Sequence, residues 1–190
     1  MNILEKAEAM LRDAKSYFAS AQILSERLDE DHGRASAMLS LLAFEIALKA
    51  AFDLDQKKDA LKTHDYGSIW KELMGSTQEA ILVMAGTEVG PIAGTKLPRY
   101  ETTRLERRLE RWEEAFIDGR YRYSKNLNRS QKQIREVRES WVSHGSPICG
   151  ADFEFGGEDL YGLYTAIIKW CDDKIAGIRT GSRRPWPPAR

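Results

Sequence analysis

Apolar residues recur at steps of three and four along most of this chain, and that period predicts helices. Ile3, Leu4, Ala7, Met10, Leu11, Ala14, Tyr17, Phe18, Ala21, Leu24 and Leu28 form one such stripe. It predicts an amphipathic helix of about seven turns, broken at Asp29 to Gly33. The following segment, Arg34 to about Leu54, is apolar on nearly every side and is expected at the centre of a bundle. Its polar exceptions include Glu45 and Lys49, four residues apart with the acid toward the N-terminus, the favourable order for an ion pair.

Thr63 and Asp65 offer N-caps for a short helix carrying Ile69, Trp70, Leu73 and Met74. Ser76 with Glu79 has the form of a capping box and leads into Ile81, Leu82, Met84 and Ala85. Glycines and prolines make Gly86 to Pro98 a loop. Thr103 with Glu106 reads as a second capping box. It precedes a charged helix with Leu105, Leu109, Trp112 and Phe116 on its apolar side, ending near Gly119. A further helix is expected from about Ser130 to Val142, buried through Ile134, Val137 and Trp141. The last helix carries Leu160, Leu163, Tyr164, Ile167, Cys171, Ile175 and Ile178 on one face, with Glu158 and Asp159 at its positive end. No segment sustains period-two alternation, so the fold class is all-α: a bundle around the second helix. One domain spans residues 1–180, followed by a basic, proline-rich tail at 181–190 that is expected to be disordered.

Charge adds a local feature that the totals hide. The 29 basic residues equal the 29 acidic ones, so no global field draws the protein to nucleic acid. Between Arg99 and Arg138, however, twelve basic residues face seven acidic ones, which permits an anion-binding face or an ordinary solvated one. The N-terminus has no signal-like apolar run. The apolar stretch Ala37 to Phe52 is interrupted by Ser40, Glu45 and Lys49, so no membrane span and a cytoplasmic location are expected.

Several chemistries find no support. Gly94-Thr95-Lys96 has the wrong order for a phosphate-binding loop and no strand before it. His32, His64 and His144 are scattered without a nearby ligand pair, and Cys149 and Cys171 have no zinc spacing. Neither a metal nor another cofactor is expected. Cys171, within an apolar stripe, is expected in the core.

Two constellations remain. Phe44-Glu45-Ile46-Ala47-Leu48-Lys49-Ala50-Ala51-Phe52, followed by Thr63-His64-Asp65-Tyr66, resembles the HEPN family. In that family the second helix carries an acid-x-x-Leu-Lys pattern and a His-Asp turn opens the third. The physical role expected of His64 and Asp65 is to cap that helix and tie its start to the core. The resemblance covers roughly residues 5 to 178. It implies an up-and-down helical bundle, here with an inserted charged helix and an extra C-terminal helix, and a homodimer.

The second constellation, Arg138-Glu139-Ser140-Trp141-Val142-Ser143-His144-Gly145, resembles the Arg, four to six residues, His signature of HEPN ribonucleases. There the pair faces a cleft between protomers and cleaves RNA through its 2′-hydroxyl without a metal. Histidine can exchange a proton near neutrality, and arginine can hold the phosphate. Six positions turn a helix by about 600°, so Arg138 and His144 share a face if the helix ends before His144, as Gly145-Ser146-Pro147 allows. The alternative is a solvated arginine and a capping histidine.

Arg120-Tyr121-Arg122-Tyr123 resembles a segment of several HEPN-like proteins. Arg120 and Arg122 could contact RNA while the tyrosines stack on bases, or the tyrosines pack on the bundle. The functional expectation is RNA binding or metal-independent endoribonuclease activity. The rival is a non-catalytic interaction module with a cognate protein partner in a toxin–antitoxin or defence system. Trp112 or Trp186 could serve association.

Overall fold

The computed structural model describes residues 2–26, 30–60, 62–90, 100, 102–126 and 157–181. Six helices lie among them: α1 (Ile3–Ser25), α2 (Glu30–Gln56), α3 (Tyr66–Lys71), α4 (Gly75–Val89), α5 (Thr102–Asn126) and α6 (Gly157–Thr180). No strand occurs among the described residues. The molecule is an all-α bundle.

Its centre is α2, which packs against α1, α3, α5 and α6. Leu41, Phe44, Ala47, Leu48, Ala51 and Phe52 are fully buried on different sides of this one helix. By length and composition α2 could cross a membrane, yet most of its apolar surface is covered by the other helices. The all-round apolar pattern is that of a core helix. Aromatic rings fill the space toward α3 and α5. Phe44 meets Tyr66 and Trp112 edge-on, with centroids 5.4 and 5.3 Å apart. Trp112 is thereby buried and cannot serve association, because its place on the α5 stripe turns it inward.

The helix α1 begins with a capping box in which Asn2 accepts from the Glu5 amide and Glu5 accepts from the Asn2 amide. Ion pairs Lys15–Asp172 (2.9 Å) and Arg179–Glu8 (2.7 Å) lay α6 antiparallel along α1. Three residues of the expected apolar sets are exposed: Tyr17 on α1, Met74, which lies beyond α3 at the start of α4, and Ile178 in the last turn of α6. Cys171 is fully buried, and burial pushes its thiol well above the usual range, so it is core and no nucleophile.

Several expected boundaries move. The second helix starts at Glu30 rather than Arg34, taking in Gly33. The helix α4 starts at Gly75, so Ser76 lies inside it and no side-chain cap is made there. The cap comes instead from α2. Buried Asp55 accepts from the Met74 amide and from the Thr77 hydroxyl, both at 2.7 Å. Similarly, α5 starts at Thr102, which puts Thr103 within the helix.

Gly86 does not end α4, which runs to Val89 and stops at Gly90, where φ is 68°. A helical glycine costs about 1 kcal/mol relative to alanine, which packing can offset; the stop itself needs a positive φ. The extra turn seats Val89 against α6 at Gly162, where an added Cβ would lie 2.8 Å from a Val89 methyl and 2.5 Å from the Tyr100 hydroxyl. Glycine is required there by close approach. Gly119 is likewise passed, and α5 continues to Asn126. The expected helix at 130–142 and the tail at 182–190 lie outside the described residues.

Candidate functional site

The residues of the first constellation come together where α2, the turn before α3, and α5 meet. Glu45 is buried on α2, and one turn later Lys49 donates to its Oε1 at 2.7 Å. The His64 Nδ1 lies 3.0 and 2.9 Å from the two Glu45 oxygens. A carboxylate can only accept, so Nδ1 carries the proton of this contact. The buried acid therefore has two partners, and its desolvation is offset by both.

Asp65 plays the other half of the role. It is the N-cap of α3, accepting from the Ser68 amide at 2.8 Å and also from the Ser68 hydroxyl. These bonds, the hydroxyl first, hold its carboxyl below the usual range. The Thr63 hydroxyl oxygen accepts from the Asp65 amide at 3.1 Å and braces the turn. Sequence spacing expects this capping, and the geometry has it. The additional link is the 19-residue reach from His64 back to Glu45.

His64 itself is half exposed, with side-chain exposure of 49%, and the Phe116 ring stands beside it at 5.7 Å. Its chemistry is that of an imidazole oriented by a carboxylate, a geometry able to move protons. Its electrostatic setting is unsuited to phosphate, however. Glu45, Asp65 and Glu113 surround it, with Lys49 already committed to Glu45. Three carboxylates disfavour a polyanion at that position. The quartet is a tie between helices.

Glu113 is a group the sequence pattern does not single out. Burial, then Asp65 and Glu114, raise its carboxyl above the usual range, with His64 acting in the opposite direction. A raised carboxylate favours the folded state while protonated, and that advantage is lost as pH climbs from the unfolded value, about 4.3, through the folded one. Glu113→Gln is therefore expected to raise the melting temperature at pH 7. The gain should vanish below about pH 4, where the wild-type carboxyl is protonated in both states. An equal gain at both pH values would remove electrostatics as its cause.

Two further carboxylates hold the scaffold. Fully buried Asp53 accepts from the Ala60 amide at 2.6 Å and pairs with Lys6 of α1 at 2.8 Å. Asp55 caps α4 as described above. A signal for both existed: acids at the end of an apolar segment, where an unpaired charge would be costly. Ending the helix at Leu54 places Asp55 beyond it and Asp53 in its last turn, where an acid reads as an ordinary solvated position. Tyr100 donates to the Asp159 carbonyl at 2.8 Å, and Arg108 pairs with the Asp159 carboxylate at 3.1 Å, joining the start of α5 to that of α6.

Arg120 and Arg122 both lie in α5. Two positions along a helix turn about 200°, so these arginines occupy nearly opposite register positions, and their side chains lie outside the described ones. Arg138 and His144 lie outside the described residues, as does Cys149. Among the described residues no group of three or more His, Cys, Asp or Glu side chains is placed to hold a metal ion. Comparisons with protein-family models, curated proteins and solved structures found no match to this chain.

Proposed function

We propose that this chain is a HEPN-like helical protein that acts as a homodimer on RNA in the cytoplasm, binding it or cleaving it without a metal. The observation that supports the reading is the joining of Glu45 and Lys49 on the central helix to His64 and Asp65 at the start of α3. Those four residues carry part of the HEPN resemblance, and they work as one tie between α2 and α3. In the proposed reaction the RNA 2′-oxygen attacks the adjacent phosphorus and the bond to the 5′-oxygen breaks, leaving a cyclic phosphate. His144 exchanges the proton lost by the 2′-hydroxyl or gained by the 5′-oxygen, and Arg138 holds the phosphate charge.

The test is cleavage of a mixed RNA pool in EDTA by the wild type and by Arg138→Ala and His144→Ala. Cleavage that persists in chelator and is lost in both variants is the expected result. Persistence in Arg138→Ala would sink the mechanism. One observation favours the rival, non-catalytic interaction module: the described motif residues are engaged in holding helices together. Under that reading His144→Ala alters stability or partner binding, and a well-folded dimer leaves the RNA intact.

A further inference from the structure

The helix α1 carries two lengthwise seams. Ala7, Leu11, Ala14 and Ala21 lie on the side turned to the core and are buried. On the opposite side Arg12, Ser16, Ala19, Ile23 and Glu26 recur at alternating steps of four and three, and all five are exposed. Glu26, the C-cap residue, keeps helical backbone angles and so stays in this register. Alternating steps of four and three keep side chains along one line of a helix, the spacing at which two helices pair lengthwise. The packing of the bundle asks for no apolar residue on this outer line. Ile23 nevertheless stands there, 63% exposed, the most exposed large apolar side chain among the described residues.

The charges flanking this line are tied up, and those on it are not. Lys6 pairs with Asp53, Lys15 with Asp172 and Glu8 with Arg179. Glu8, one turn before Arg12, is thereby taken. Among the described residues neither the Arg12 nor the Glu26 side chain has an ion-pair or hydrogen-bond partner. The two stand about 21 Å apart along the helix, too far to meet within one chain. Ala19 lies midway, seven residues from each. Seven residues turn a helix by about 700°, some 20° short of two full turns, so all three stay on one line. A second α1, run antiparallel about a two-fold axis at Ala19, sets each Arg12 against Glu26 of the partner subunit.

We infer that two copies of this chain pair through the outer face of the second half of α1, antiparallel about Ala19; the inference rests on the homodimer of the reading above and names its interface. Small residues set the approach. Ser16 and Ala19 let the two helix axes come to about 8 Å, the short end of the usual range. Ile23 of each subunit then packs over Ser16 and Ala19 of the partner subunit, so its exposed apolar surface leaves water twice. Charge complementarity selects the occupant and its direction. Antiparallel pairing makes two Arg12–Glu26 contacts, whereas parallel pairing sets Arg12 against Arg12 and Glu26 against Glu26.

The test is sedimentation of the full-length protein over a concentration series. The variants are Ile23→Asp, Arg12→Glu, Glu26→Arg and the double variant Arg12→Glu/Glu26→Arg. Val83→Asp, at a similarly exposed apolar position of α4, is the control. Thermal melts should stay close to that of the wild type, since every substituted side chain is exposed. The wild type is expected to dimerise, and Ile23→Asp to weaken the dimer about tenfold or more, as loss of a buried anchor does. Each single reversal should weaken it about tenfold as well, because symmetry sets like charges together twice. The double variant restores opposite charges at both contacts and should return the dimer constant to within about threefold of the wild type. A wild-type dimer indifferent to Ile23→Asp, or a double variant no tighter than the single reversals, overturns this face and leaves the homodimer standing. Equal weakening by Val83→Asp also overturns it. A wild type that stays monomeric removes the homodimer and its interface together, while the cleavage assay above still decides the RNA reading.

Discussion

Replacing Phe44 by alanine is expected to destabilise the protein by about 3–5 kcal/mol, as for large buried aromatics in general. Phe44 is fully buried at the middle of α2, with Tyr66 of α3 and Trp112 of α5 edge-on to its ring. Truncation removes the transfer energy of the ring and leaves a cavity between three helices. The rings that line it cannot collapse without moving two helix axes. At this chain length the loss corresponds to roughly 10 °C in melting temperature. Urea unfolding checks the magnitude, and Phe44→Leu should recover part of it. A loss below about 1.5 kcal/mol would mean the three helices do not meet on this ring.

The second large effect is expected from Lys6→Met. Lys6 pairs with Asp53, whose side chain is fully buried, and also touches exposed Asp59. Removing the cation leaves a buried carboxylate that still accepts from the Ala60 amide but has lost its counter-charge. Breaking a buried pair costs about 3–5 kcal/mol, and the partial exposure of Lys6 points to the lower end, about 3 kcal/mol. Lys6→Met combined with Asp53→Asn should be less destabilised than Lys6→Met alone, because no uncompensated charge remains.

The pair also has a pH signature. Hydrogen bonds to Asp53 and then Asp59 raise the Lys6 ammonium above its ordinary value. Its contribution is therefore complete below the unfolded lysine value, about 10.4, and is lost as pH rises through the folded one. The wild type should lose stability in that alkaline window, and Lys6→Met should not lose this increment. Parallel alkaline curves for the two proteins would count against the assignment.

The contrast between these two residues shows how much the chain discloses by itself. Phe44 lies in a segment apolar on every side, and that pattern alone sends it to the centre of a bundle. Lys6 and Asp53 read as ordinary polar positions; their pairing depends on α1 lying along α2. The candidate site divides in the same way. Asp65 as a helix cap and Glu45 with Lys49 are legible because both are local, three or four residues apart. The reach of His64 to Glu45 depends on α3 packing against α2, and the raised carboxyl of Glu113 on α5 packing against α3.

Helix stops were the least legible feature. Gly33, Gly86 and Gly119 all lie inside helices, while Gly90, with a positive φ, ends one. A glycine marks where a helix can end cheaply, and packing decides whether it does. The amino-acid sequence by itself determined the helical class, the central helix and the local caps, because those follow from periodicity and short-range hydrogen bonds. Only the tertiary structure decided that α4 runs through Gly86 to stop at Gly90 and that α5 runs past Gly119. The energy that carries the helix through a glycine, like the partners of Asp53 and Asp55, comes from contacts far apart in the chain.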